Sequence, residues 1–93
     1  MTVYKFPIHT TDEQTIDMPQ GAKVLCAKLQ GDTLCLWALV SPRAPRERRT
    51  FLVRGTGHPI DVAEGYDVQY VDTFMMYDGG LVFHVFEVVL KTY

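Results

Sequence analysis

Ninety-three residues, nine lysines and arginines against eleven acids, and 47% apolar residues describe one small globular domain, 1–93, with a net charge of −2. A balance this close to neutral gives no argument for nucleic acid or a membrane surface, and no low-complexity tract speaks for disorder. No apolar run approaches the ~20 residues that a membrane helix needs, so the chain is expected to be soluble with no membrane partner.

Thr2 to Ile8 alternates, with Tyr4, Phe6 and Ile8 on one face, and reads as a first strand in which Pro7 marks an end or a sheet edge. Polar residues His9 to Gln14 turn the chain. Thr15 to Met18 follows as a short strand with Ile16 and Met18 inward, closed by Pro19-Gln20-Gly21. Lys23 to Gln30, then Gly31-Asp32, then the apolar run to Val40 is the clearest hairpin signal in the chain. Leu25, Ala27 and Leu29 are expected on one face of its first arm. A helix over 22–30 is disfavoured because no capping residue precedes Lys23. In the second arm Leu34, Leu36, Ala38 and Val40 share one face, and Cys35, Trp37 and Leu39 share the other. Apolar residues on both faces predict a central strand covered on both sides.

Pro42 and Pro45 predict a loop over Ser41 to Arg48, and Arg49 to Thr56 returns as a strand with Phe51 and Val53 inward. Gly57-His58-Pro59 turns the chain, and Ile60 to Tyr66 is irregular, with room for one short helical turn at Asp61 to Glu64. A second long hairpin runs from Asp67 to Tyr77, through Asp78-Gly79-Gly80, and back along Leu81 to Leu90. Phe83 and Val85 share one face of the closing strand; Val82, His84, Phe86 and Val88 share the other. Six or seven strands at short spacing predict an all-β fold, a small antiparallel sandwich or barrel.

Residue chemistry offers no catalytic constellation. The lone serine, Ser41, sits beside a proline with no histidine near it, and burial of Cys26 and Cys35 in strands blunts a thiol. Those cysteines read as reduced core residues, since Met1 to Pro7 has no extended apolar segment of the kind a signal peptide carries. His9, His58 and His84 are scattered without ligand spacing, so neither metal nor cofactor is expected. Two glycines around Thr56 suggest an anion-binding turn of Arg54, Gly55, Thr56, Gly57 and His58, joined by Arg49, Trp37 and His84; tight backbone geometry explains the same glycines. Residues 43–54 hold five arginines against Glu47, while 61–78 hold five acids and no base, so the two segments can pair within one molecule or between two. Arg43, Arg46 and Arg48 lack the interleaved aromatics that nucleic-acid binding calls for and fit a solvated loop or a protein contact. The apolar side chains Val82, Phe86 and Val88, on a strand expected at a sheet edge, predict a homodimer.

Tyr4-Lys5-Phe6-Pro7, Met18-Pro19 with Gly21-Ala22, Leu36-Trp37-Ala38, Gly55 to Ile60 and His84-Val85-Phe86-Glu87 together resemble a family of short proteins of tailed bacteriophages and prophages whose function is unassigned. Phe83 stands where tryptophan is expected, and the stretch 61–78 is longer and more acidic than the pattern. The resemblance implies a setting: a protein of the host bacterial cytoplasm that binds a host or bacterial-defence protein without catalysis. An oligomer that sequesters a small anionic or nucleotide ligand is the second expectation, and a minor virion component the third.

Overall fold

A computed structural model describes residues 1–92. Seven strands form two antiparallel sheets: β1 (Thr2–Ile8), β2 (Glu13–Pro19), β3 (Lys23–Gln30), β4 (Thr33–Val40), β5 (Arg46–Gly55), β6 (Tyr66–Met76) and β7 (Leu81–Leu90). The first sheet has the order β1-β4-β3 and the second β2-β5-β7-β6. The described residues contain no helix, and Asp61 to Glu64 is irregular chain ending in a turn. The fold is all-β, as the strand patterning predicts.

The inward faces make one core. Ile8, Leu34, Leu36, Ala38, Val40 and Ala27 of the first sheet meet Met18, Phe51, Val53, Phe74 and Val85 of the second, all nearly inaccessible to solvent. Register lines them up: Leu36 lies between Phe6 and Ala27, and Val53 lies opposite Val85. Stacked sheets sit ~10 Å apart, so a molecule only 17 Å thick holds two layers and no third. The outer face of β4 is therefore not covered by a further layer. Trp37 and Leu39 are half-buried there, which corrects the expectation of a strand enclosed on both sides. Cys35 and Cys26 are free thiols, one strand apart and out of direct register, Cys35 opposite Lys28 and Cys26 opposite Trp37.

Gly31, at φ +60, takes the first central position of the two-residue β3–β4 turn, where an L side chain is strained. A bulge between Val24 and Cys26 then changes the phase of β3. Val24 joins Ala27 and Leu29 against the core, while Leu25, expected inward, is left exposed. The extra residue shifts the alternation by one position, which periodicity alone cannot register.

Two further expectations are corrected. Arg46 and Arg48 belong to β5, not to a loop, because Pro45 precedes the strand and costs the ladder no internal donor; its carbonyl instead accepts from Gln20 N at 2.7 Å. The closing strand β7 lies between β5 and β6, so it is an interior strand and offers no free edge. Nor does it pair with β1, and the architecture is an open sandwich. The edges belong to β1 and β3 in one sheet and to β2 and β6 in the other. Because β5 and β6 both run antiparallel to β7, the connection 56–65 must carry the chain back along the sheet. It crosses the outer face of the second sheet, where Asp61, Val62 and Ala63 border a cavity of about 310 Å³ with Thr15, Thr50 and Val88.

Candidate functional site

The glycine-flanked turn is held by its own backbone. Thr56 N donates to Val82 O at 3.2 Å and His58 N donates to Gly55 O at 3.1 Å, so both amides are already engaged. Arg54 is engaged as well, donating to the carbonyls of Asp12, Val53 and Pro59 and so tying β5 to the β1–β2 connection and to the crossing loop. Gly57 adopts φ +86, and a Cβ on Gly55 would stand 3.2 Å from the His58 ring. These glycines answer to backbone geometry and a close ring approach.

His84 projects from β7 beside this turn. Its Nε2 lies 2.7 Å from Thr56 Oγ1 and its Nδ1 3.0 Å from Thr73 Oγ1, and Thr73 Oγ1 is 2.7 Å from the Tyr70 hydroxyl. One chain of hydrogen bonds thus links the turn, β7 and β6. Of the residues expected to share a ligand site, Arg54, Gly55, Thr56, Gly57, His58 and His84 come together. Arg49 and Trp37 do not: Arg49 faces the space between the sheets, and Trp37 lies on the outer face of the other sheet.

The arginine cluster disperses along β5 because successive strand residues face opposite ways. Arg43 and Arg46 are exposed, and Arg48 reaches Asp17 at 3.8 Å across an open surface, a contact worth ~0–1 kcal/mol. Arg49 turns inward in phase with Phe51 and Val53. It forms a two-pronged pair with Glu87, Nε to Oε2 at 2.6 Å and Nη2 to Oε1 at 2.7 Å, and donates to Ala22 O. The hydrogen bond to Glu87 raises the Arg49 pKa, outweighing burial, which alone would lower it. Arg49 and Glu87 form the floor of a cleft of about 450 Å³ walled by Gly21 to Leu25 on one side and Gln69 to Val71 on the other. The arginine-rich and acid-rich segments do not pair with each other among the described residues. Arg48 and Arg49 meet Asp17 and Glu87, and Asp72 meets Lys28 at 3.1 Å.

The sequence reading missed Glu87 and Asp72. A signal for Glu87 was present: it falls in phase with Phe83 and Val85, and a charge on a buried face demands a partner.

The outer face of the second sheet carries the remaining expected contact residues. Val82, Phe86 and Val88 are half-buried there, beside Tyr66, Tyr70 and Leu90, which are 41%, 58% and 72% exposed. Tyr70 meets the Phe86 ring edge to face at 5.9 Å. No outward residue of β6 or β7 is an acid, lysine or arginine.

A family model described as a domain of unknown function (DUF7352) matches residues 1–92. The chain belongs to that family. No curated protein and no solved structure matches it.

Proposed function

We propose that this chain is a non-catalytic phage accessory protein that binds a host or bacterial-defence protein in the bacterial cytoplasm. The observation that carries the reading is the outer face of the second sheet, where Tyr66, Tyr70 and Leu90 stand exposed around half-buried Phe86 and Val88, with the acids Glu13 and Asp61 at one side of it, beside Tyr66 and Val88. Tyrosine and aliphatic side chains with charge depleted at the centre are the composition of interface cores. Tyr70 is held by Phe86 and by Thr73, so little side-chain freedom is lost when a partner covers it. The phage setting rests on the sequence words of the first strand, β4, the glycine turn and β7.

Tagged protein expressed in bacteria is expected to retain one host protein in equimolar amount. Tyr70→Asp and Leu90→Asp, each placing a charge in that face, are expected to release it while the thermal midpoint stays within a few degrees. Recovery of chaperones and ribosomal proteins alone, or retention indifferent to both substitutions, overturns the reading.

A further inference from the structure

The outer edges of β3 and β6 run close together at one corner of the sandwich, and no strand pairs with either. Open edges present rows of backbone donors and acceptors that a second chain can pair with, and proteins commonly blunt them. Charged side chains do so here. On the β3 side, Gly21 N donates to Glu47 Oε1 at 3.3 Å, Ala22 O accepts from Arg49, and Ala27 N donates to Asp72 Oδ2 at 3.1 Å. On β6, Val68 N and Thr73 N each donate to the carboxylate of the preceding aspartate at 2.8 Å. The caps stop short of the middle. Among the described residues Lys23 to Cys26 and Gln69 to Val71 carry none, each stretch holds or abuts a bulge, and Lys23 to Leu25 and Gln69 to Val71 wall the cleft above Arg49 and Glu87.

We propose that this cleft receives an extended peptide segment of a partner protein, which pairs with the uncapped edge of β6 as a short added strand. Alternate residues of an antiparallel strand face its edge: Gln69 pairs with Glu87 of β7, so Tyr70, beside the bulged Val71, offers its amide and carbonyl to another backbone. Side chains of that segment alternate. One points to the floor, where Arg49 pairs with Glu87, lies 3.9 Å from Glu47 and has used only three of its five N–H donors, while Glu87 keeps free lone pairs. A neutral amide or hydroxyl accepts from Arg49 and donates to Glu87, whereas an acidic side chain meets repulsion from both Glu47 and Glu87. The inference rests on the reading of the chain as a binding protein and uses the edge beside the outer face; Tyr70 belongs to both, its ring to the face and its backbone to the edge.

The test is selection of a displayed library of random eight-residue peptides against the full chain. Enrichment of peptides with Asn, Gln, Ser or Thr at one fixed position is expected. Hydrogen exchange on the complex is expected to slow at Tyr70 and Val71, and N-methylation of the pairing residue in the selected peptide is expected to cost tenfold or more in affinity. No enrichment, protection confined to the outer face, or indifference to N-methylation overturns the proposal. Concentration-dependent protection of the same stretch in the chain alone assigns the cleft to a second copy and overturns it too. Leu90 does not line the cleft, so release of a host protein by Leu90→Asp is the result that lets the two readings fail separately.

Discussion

Arg49 and Glu87 show how one buried pair organises its surroundings. Each lies at a position whose strand neighbours are core residues, and each is tolerated there because the other takes up its charge. Removing Arg49 leaves Glu87 without its partner, and removing Glu87 leaves Arg49 with only the Ala22 carbonyl and Glu47 at 3.9 Å. Arg49→Met and Glu87→Leu are each expected to lower stability by ~3–5 kcal/mol, and the double variant by less than either alone, its remaining cost being the carbonyl of Ala22 left without Arg49. Urea unfolding of the four proteins checks this, and additive losses would contradict it. Asp72 gives a pH-dependent counterpart. Burial alone raises its carboxyl, but the amides of Thr73 and Ala27 and the Lys28 ammonium outweigh it, and the pKa lies below the ordinary aspartate value. The folded form therefore binds the proton less readily than the unfolded chain. Stability from this group is present in full above about pH 5 and is lost as pH falls through the folded pKa. Asp72→Asn is expected to cost about 1 kcal/mol at pH 7, with the gap to the parent closing below about pH 4 in denaturant midpoints.

Among the elements, strand existence was legible because period-two alternation is local, and irregularities were not because they depend on partners. The bulge in β3 reverses the side on which Leu25 and Val24 fall, and the pairing of Pro45 with Gln20 extends β5 into what two prolines mark as loop. The β6–β7 turn is a third case. Tyr77 and Asp78 adopt φ +54 and +53 ahead of Gly79 at +87, so a bulky residue occupies backbone that disfavours it. Tyr77 is 77% exposed and its ring contributes little burial. Tyr77→Asn, which tolerates that backbone, is expected to raise stability by ~0.5–1 kcal/mol, read as a thermal midpoint several degrees higher in calorimetry. An unchanged or lower midpoint would mean that the ring makes contacts which offset the strain.

At the scale of the molecule, two sheets of three and four strands carry no third layer, and the connection 56–65 covers only part of the second sheet's outer face, beside Thr15, Thr50 and Val88. Self-association by pairing at β7 is excluded by its interior position, but its outward side chains keep their place on the open face. In the absence of a partner, two copies are expected to cover Val82, Phe86 and Val88 from each other across a two-fold contact. Light scattering coupled to gel filtration at micromolar concentration should report twice 10.6 kDa. A mass near 10.6 kDa would contradict the expectation.

The sequence by itself determined the all-β class with six or seven strands, the tight turn at Gly31, the inward face of β5 and the two-face partition of β4 and β7, because alternation and turn chemistry act over a few residues. Which strands pair, and therefore which edges stay open, was settled by tertiary structure. Nothing local tells β7 that it will lie between β5 and β6, or brings Arg49 to Glu87 across 38 residues of chain. The candidate site followed the same division. The turn at Gly55 to His58 could be named from its glycines, but the cleft between β3 and β6 exists only once two distant edges are placed side by side.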